Sequence, residues 1–357
     1  MLTKLQALRG WAALAVFFFH LGGAVAAPKY FGLDWAAGLT QFGRQGVLVF
    51  FVLSGFIIHA VHRRDIGRPE NLAGYAKRRA LRLFPVYWTV LALVAGSSII
   101  TGIGIEGVPS NPGTLLRTVL LLPQDPSKVG GTGAPILIVA WSLQYELLFY
   151  AAFALFILNR SVGLISISLV LTAMLVLIGG GHTDMFPAYL TPKYFAFFAI
   201  GVATSAMLNK GLFGLAARAA AATGGILLII GWLFDIFAGI AVPEGRSSIS
   251  LLPVEAAICL ASALLIGGLA ARELADGARA LQWQQKLGDW SYGLYLVHFP
   301  VISIACKAVL AVGLHGVAGA SLAAVLSLCG ALSLAAALHY LVERPFQNYA
   351  RTRLARA

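Results

Sequence analysis

The chain has 357 residues, of which 59% are hydrophobic and 11% are charged, and its mean hydropathy is +0.84. Soluble domains carry about a quarter of their residues as charged side chains, so this composition excludes an ordinary soluble protein and predicts a polytopic membrane protein. The formal net charge of +12 does not indicate nucleic acid as a partner, because Lys and Arg in a membrane protein are distributed by topology.

Apolar stretches of about 20 residues can cross a bilayer, and the hydropathy pattern predicts ten of them. They are 5–27, 41–61, 83–103, 135–158, 161–180, 191–208, 217–240, 250–271, 289–312 and 317–341. A cytoplasmic N-terminus puts most Lys and Arg residues on the inner side, as the positive-inside rule requires. We therefore predict an all-α polytopic membrane helix bundle of about ten transmembrane helices, with both termini cytoplasmic and with residues 1–357 as a single domain.

The first span carries two ionisable residues, Arg9 and His20, inside an otherwise apolar run. Each costs roughly 2.5 to 3.5 kcal/mol on insertion scales, so both should face a protein interior or a wet cavity. Their separation of eleven residues returns them to nearly the same helix face, about 16 Å apart along the axis. One face of this helix therefore presents a guanidinium near one end of the span and an imidazole deep in the bilayer.

The second span contains FFVLSGF over Phe50 to Phe56, in which bulky aromatic residues are interrupted by Ser54 and Gly55. Small residues let membrane helices approach closely, which favours a packing role for this step. The alternative is a contact from the Ser54 hydroxyl or the nearby backbone to a ligand.

The loop predicted at 62–82 is the most basic part of the chain. Such a loop can anchor the topology by touching anionic lipid headgroups. Arg79 and Arg82, however, are three residues apart at the start of the third span, where they share a helix face. Because arginine forks match phosphate oxygens, a phosphate-bearing cytosolic ligand is the more specific alternative.

Two predicted external loops need comment, one for an apolar run and one for a pair of polar residues. In the loop at 104–134 the apolar run from Leu115 to Leu122 is too short to span, which predicts an interfacial or re-entrant piece. His182 and Asp184 lie in another external loop, but two ligands without a third are too few for a metal site, and we expect no metal.

Glu146 places a carboxylate near the middle of the fourth span, within WSLQYELLFY from Trp141 to Tyr150. By the three-and-four rule it shares a helix face with Ser142, Phe149 and Tyr150. An intramembrane carboxylate indicates function by default, and the alternatives are a structural ion pair or a protonated hydrogen bond between helices.

The ninth span carries Ser291, Tyr295 and His298 at i, i+4 and i+7, which predicts a polar stripe on an inward face. Pro300 should kink the helix just beyond it. We expect His298 to be a satisfied interior histidine, because one proton transfer does not need two histidines.

A histidine and a glutamate inside the membrane, with arginines at the cytoplasmic mouth, predict a polar cavity that receives an anionic ligand from inside. An imidazole titrates at about pH 6.5 when unperturbed, so His20 can take a proton from a hydroxyl while Glu146 orients its ring or stabilises the cation. This arrangement suits acyl transfer. It suits equally a proton-coupled transporter in which the two residues form a relay.

Six motifs follow one another along the chain: Arg9 and His20 with ten residues between them, FFVLSGF, RRALRLFPVYW (78–88), WSLQYELLFY, SYGLYLVH (291–298) and ERPF (343–346). In this order they resemble the acyltransferase-3 family of integral membrane proteins over nearly the whole chain. The resemblance implies transfer of an acyl group, often acetyl, from acyl-coenzyme A (acyl-CoA) to hydroxyls of cell-surface carbohydrates such as exopolysaccharide or O-antigen, at the bacterial inner membrane. Some members carry a C-terminal SGNH-hydrolase-like domain, which we do not expect in this chain.

The same resemblance implies roles for single residues. The first-helix Arg and His of the family fall on Arg9 and His20, its Arg-x-x-Arg falls on Arg79 and Arg82, and its helix-borne glutamate falls on Glu146. The implied roles are catalysis for His20 and Glu146, and binding of the co-substrate acyl-CoA for the three arginines, with no permanently bound cofactor. Candidate contacts to substrate within the motifs are Ser54, Trp141, Tyr292, Tyr295 and His298.

Two mechanisms and two functions stay open at this point. The hydroxyl can attack the thioester directly, or an acyl-enzyme can form on His20 or Ser54. The alternative function is a proton-coupled transporter or flippase of a lipid-linked sugar, although the sequence shows no inverted repeat of the kind many transporters have.

Overall fold

The computed structural model describes residues 2–101, 108–179, 192–241 and 252–354, and the regular secondary structure in these ranges is helical throughout. The α-helices in chain order are α1 (Thr3–Ala26), α2 (Trp35–Thr40), α3 (Gly46–His62), α4 (Leu72–Thr101), α5 (Pro112–Val119), α6 (Pro126–Val129), α7 (Trp141–Leu158), α8 (Arg160–Gly179), α9 (Pro192–Asn209), α10 (Ala217–Ala241), α11 (Leu252–Asp276), α12 (Gln282–Ala311), α13 (Gly316–Leu338) and α14 (Arg344–Leu354). The predicted all-α fold is confirmed.

Eight helical segments in the described ranges are long and apolar enough to cross a membrane: Thr3–Ala26, Trp35–His62, Pro69–Ile99, Ile138–Leu158, Ala217–Phe237, Val254–Asp276, Gln282–Ala311 and Gly316–Tyr349. Two shorter apolar helices, Arg160–Leu169 and Tyr194–Asn209, overlap the predicted fifth and sixth spans. Every predicted span therefore overlaps a helix. The number of helices that cross the bilayer and the side of the termini stay predictions.

Two helices begin earlier than the hydropathy pattern predicts. The α4 helix begins at Leu72 instead of residue 83, and α12 begins at Gln282 instead of residue 289. The helical residues ahead of positions 83 and 289 include Lys, Arg or Gln, which lower the hydropathy although they are good helix formers. The prediction of a loop over 62–82 is therefore wrong beyond Arg68, and Arg79 and Arg82 lie within α4.

The chain divides into two compact units, each built from segments that are distant in the sequence. Unit 1 comprises Met1–Ala60 and Phe197–His339, and unit 2 comprises Val61–Ala196 and Tyr340–Ala357. The assignment of 1–357 as a single domain stays a prediction.

In unit 1, α1 packs along α12, α12 packs against α13, and α10 packs against α11. The start of α1 is held by Glu273 of α11, whose carboxylate accepts from the backbone amides of Thr3 at 2.7 Å and Lys4 at 2.8 Å. The first amides of a helix have no intrahelical acceptor, so a carboxylate from another helix satisfies them and complements the helix dipole. This contact fixes where the histidine-bearing helix begins.

Glycines allow close contacts between helices in unit 1. A Cβ atom on Gly10 of α1 would lie 2.8 Å from the backbone nitrogen of Gly288 of α12, so no larger residue fits there without movement. A Cβ on Gly55 of α3 would overlap the carbonyl oxygen of Phe198 in α9. The packing interpretation of the Ser54-Gly55 step is therefore confirmed at Gly55.

In unit 2, α4 packs against α7 and α14, and α7 packs against α8. The short helix α5 exposes Leu115 and Leu116, which agrees with the predicted interfacial piece. It is tied to α4 because Tyr87 donates to the carbonyl oxygen of Thr118 at 2.5 Å and Trp88 donates to that of Val119 at 2.9 Å. The predicted external residues 182 and 184 lie outside the described ranges.

Candidate functional site

Unit 1 brings His20 of α1 into contact with His298 of α12. The Nδ1 atom of His20 is 3.1 Å from Nε2 of His298, and the ring centroids are 4.9 Å apart. His298 is 0% exposed, whereas His20 is half-buried. The rings of Phe19 and Phe299 contact the ring of His20. The ring centroids of Tyr295 and His298 are 5.7 Å apart. The two imidazoles therefore meet among aromatic side chains, with His298 fully buried.

The register of the two helices places these histidines opposite each other. Gly10 contacts Gly288, and the interval from glycine to histidine is ten residues in both helices. Because both intervals run the same way from the glycine contact, α1 and α12 are parallel here. Ten residues of helix rise about 15 Å, so the histidines lie some three turns beyond the glycine crossing.

Backbone carbonyls define which ring nitrogens carry hydrogen. Nδ1 of His298 is 3.1 Å from the carbonyl oxygen of Leu294, and Nδ1 of His20 is 3.1 Å from that of Val16. A carbonyl oxygen only accepts, so each neutral ring is protonated on Nδ1. Nε2 of His298 then accepts from His20, and Nε2 of His20 is the basic nitrogen of the pair.

The other predicted site residues of unit 1 lie on the same helices or on α3. Tyr292 and Tyr295 are buried in α12, and the ring of Tyr295 lies 5.9 Å from that of Phe50. Arg9 on α1 and Ser54 on α3 are half-buried. The structure thus groups Tyr295 with the histidine pair.

Unit 2 contains a second polar cluster, centred on Arg79 of α4. Its Nη2 donates to Nε2 of His62 at 2.7 Å, and Nδ1 of His62 donates to Oδ2 of Asp65 at 2.7 Å. Asn71 donates to the other oxygen of Asp65 at 3.0 Å. His62 is 1% exposed, so these hydrogen bonds hold one side of the Arg79 guanidinium against a buried imidazole.

Aromatic rings and a carboxylate complete the Arg79 cluster. The guanidinium carbon lies 5.8 Å from the ring centre of Tyr75 and 5.6 Å from that of Tyr150. Tyr150 donates through its hydroxyl to Glu146, and the charges of Arg79, Arg82 and Glu146 all act on that hydroxyl. Unit 2 therefore brings together three of the predicted site residues, Arg79, Arg82 and Glu146.

Trp141, the remaining predicted residue of unit 2, belongs to an aromatic group at the start of α7. Its ring is 5.3 Å from that of Tyr194 and 6.1 Å from that of Tyr145. Its predicted contact with substrate stays a prediction. So does the assistance of His20 by Glu146, since the two residues belong to different units.

Sequence reasoning missed two buried partnerships. It named no partner for His62, although Asp65 follows three residues later, a spacing that brings side chains together on a helical turn. Asp235 of α10 was also missed: this 2% exposed carboxylate, in a helix long and apolar enough to span a membrane, accepts from Arg44 in two contacts of 3.0 and 3.2 Å. The rule that singled out Glu146 applies equally to Asp235. Within the described ranges, no three His, Cys, Asp or Glu residues are grouped as a metal site would require.

Apolar helices long enough to span a membrane, with ionisable side chains packed among them, indicate an integral membrane protein. The chain belongs to the acyltransferase-3 family: the family model described as an acyltransferase domain matches residues 2–340. The protein is thus a membrane O-acyltransferase.

Two curated relatives agree with this family. The chain is 32% identical over 324 residues to the exopolysaccharide production protein ExoZ of Rhizobium meliloti (strain 1021), covering 87% of this chain and 92% of that protein. It is 28% identical over 344 residues to the acyltransferase MdmB of Streptomyces mycarofaciens, covering 84% of this chain and 79% of that protein. No solved structure matches the chain.

Proposed function

We propose that the protein transfers an acyl group, most simply acetyl, from acyl-CoA to a hydroxyl of an extracytoplasmic carbohydrate at the bacterial inner membrane. The observation that carries the proposal is the hydrogen bonding of the His20 ring in a chain of this family. Its Nδ1 is engaged by Val16 and His298, which leaves Nε2 to take a proton. The similarity to ExoZ supports a polysaccharide or a related glycan as the acceptor.

In the proposed reaction His20 acts as a general base. Its Nε2 takes the proton of the sugar hydroxyl as the hydroxyl oxygen attacks the thioester carbonyl. The carbon–sulfur bond then breaks, and the CoA thiolate takes the proton back from His20. The products are the sugar ester and CoA, and His20 returns to its starting state. In the variant with an acyl-enzyme on Ser54, His20 moves the proton in the same way in two successive steps. In the variant on His20, Nε2 itself attacks the thioester and CoA leaves as the thiolate, which takes the proton of the sugar hydroxyl when that hydroxyl displaces the acyl group.

Arginines are the proposed ligands of the donor: Arg79 and Arg82 for the phosphates, and Arg9 for the pantetheine arm. The support for Arg79 is its Nε atom, which is buried and has no hydrogen-bond acceptor among the described residues. An unmet buried donor costs free energy, and a phosphate oxygen would satisfy it through a charge-assisted hydrogen bond. The neighbouring Glu146 is the second catalytic candidate, because an ionisable residue within a membrane segment is costly and marks function by default.

The test is acceptor-dependent release of CoA by the purified protein, with acetyl-CoA and a panel of cell-surface glycans. Wild type should release CoA with at least one glycan, and His20→Ala and Glu146→Gln should lose this activity. Asp276→Asn is a matched control, since this carboxylate is half-exposed and its ion pair with Arg218 is long, at 3.8 Å. If acetyl-CoA does not bind and no glycan elicits release, the proposed donor and acceptor are wrong.

A further inference from the structure

We propose that His298 is a positioning residue for the reaction: it accepts a hydrogen bond from His20, holds Nε2 of His20 ready for the acceptor hydroxyl, and stabilises the imidazolium that forms. This inference rests on the proposed function and assigns the orienting role within unit 1 to a second histidine.

Burial and hydrogen bonding confine His298 to acting through His20. Its side chain is 0% exposed, its Nδ1 is bonded to the carbonyl of Leu294, and its Nε2 faces His20. A buried polar group without partners is costly, so both ring nitrogens are matched in the folded protein. No ring nitrogen of His298 is left for substrate, whereas the half-buried His20 keeps Nε2.

The direction of the hydrogen bond between the rings follows from the two carbonyls. If His298 donated through Nε2 as a neutral ring, its Nδ1 would present a lone pair to the oxygen of Leu294, and Nδ1 of His20 would do the same to Val16. The opposite direction gives a matching partner to all three ring nitrogens and both carbonyl oxygens in these contacts. The Nδ1 hydrogen of His20 is then shared between Val16 and His298.

The same contact becomes stronger as the reaction proceeds. When Nε2 of His20 takes the hydroxyl proton, the ring becomes a cation and its Nδ1–H becomes a charged donor to a neutral imidazole. Charge-assisted hydrogen bonds are roughly twice as strong as neutral ones. An interaction that strengthens as charge develops lowers the barrier and so raises kcat, whereas it adds little to binding of the ground state.

The experiment compares three variants of the full-length protein in the acetyl-CoA and glycan assay. His298→Leu removes the acceptor and keeps an apolar side chain, and His298→Gln puts an amide oxygen near the former Nε2. Cys306→Ala is the control, since Cys306 is also 0% exposed on α12 but lies eight residues further along the chain. The kcat and the KM of each substrate are measured separately, along with the thermal unfolding midpoint of each variant.

We expect His298→Leu to lower kcat by about 10- to 100-fold, the range for losing a hydrogen bond to a charged group, with both KM values within about twofold of wild type. His298→Gln should recover most of the lost kcat, and Cys306→Ala should stay near wild type. A raised acceptor KM at unchanged kcat would mean that His298 touches substrate and would overturn the inference, as would a kcat of His298→Leu equal to wild type.

A spectroscopic measurement keeps the inference testable where a variant does not fold. With ¹⁵N-labelled histidine at neutral pH, the wild type should show His20 protonated on Nδ1, assigned by the signals lost in His20→Ala. Protonation of His20 on Nε2 instead would contradict the inference. A wild type with no acceptor-dependent release would be a failure of the proposed function, and this tautomer assignment would be unaffected.

Discussion

The guanidinium of Arg79 donates through Nη2 to Nε2 of His62 across 2.7 Å, with Asp65 holding the other side of the imidazole. A long side chain that is fixed before it binds its ligand loses less conformational entropy on binding. Binding of acyl-CoA should therefore depend on His62, although His62 itself is buried. This gives the donor-binding proposal a test at a residue that does not touch the donor.

Replacing His62 with Ala should raise the KM of acyl-CoA by about fivefold, the equivalent of one ordinary hydrogen bond, with kcat within about twofold of wild type. The physical reason is that Arg79 loses the acceptor that holds its guanidinium. Steady-state kinetics with varied acetyl-CoA measures this change. Arg63→Ala, at an exposed position next to it, is the control. An unchanged KM in His62→Ala would show that this hydrogen bond serves the fold alone.

Replacing Arg79 with Ala should raise the KM of acetyl-CoA by about 10- to 100-fold, because a charged hydrogen bond is lost. The KM of S-acetylpantetheine, which has the thioester but no phosphate, should hardly change. Comparing the two donors separates phosphate binding from any general effect on the site. Arg79→Lys should recover little, since an ammonium cannot reproduce the forked guanidinium that lies over the rings of Tyr75 and Tyr150. Equal losses with both donors would rule out phosphate binding by Arg79.

Glu146 and Tyr150 should behave differently if the glutamate takes part in the chemistry. Glu146→Gln keeps an oxygen that can accept from Tyr150 but removes the charge, and we expect kcat to fall by about 100-fold or more, as for loss of an acid or base. Tyr150→Phe removes the hydroxyl and leaves the charge, and kcat should fall by less than about tenfold. If Tyr150→Phe has the larger effect, the carboxylate serves mainly to hold the Arg79 cluster.

Asp235 should be important for stability. Asp235→Ala leaves the guanidinium of Arg44 without its buried partner and should lower the free energy of unfolding by about 3 to 5 kcal/mol, measured by titration with denaturing detergent. The double variant Arg44→Leu/Asp235→Leu should recover much of this loss. Asp276→Asn, whose partner Arg218 is 79% exposed, should cost less than about 1 kcal/mol. A small loss in Asp235→Ala would show that Arg44 finds another partner.

The helices of this protein were predictable because each span is a long apolar run, and a bilayer requires such a run to be helical. The early starts of α4 at Leu72 and α12 at Gln282 were not predictable from hydropathy. A hydropathy profile detects apolar runs, so it misses polar residues that continue a helix beyond the apolar region. Interior positions of His20 and Glu146 followed from the cost of charge in an apolar span. These positions could be predicted without knowing which helices are in contact.

The contact of His20 with His298 could not be predicted, because the two residues are 278 positions apart and nothing in either segment states that α1 packs on α12. One proton transfer needs only one histidine, which made a second histidine look superfluous. An imidazole can, however, serve as the hydrogen-bond acceptor that orients another imidazole. Pairing of Arg44 with Asp235 escaped notice for a similar reason, as the partners lie 191 residues apart.

The equal intervals from Gly10 to His20 and from Gly288 to His298 constrain the number of residues between each glycine and its histidine. Adding or deleting one residue inside either interval would turn its histidine by about 100° around the helix axis, away from its counterpart, while every side chain of the site remained present. Relatives and engineered variants should therefore accept insertions beyond the histidines or before the glycines far more readily than within these two ten-residue stretches.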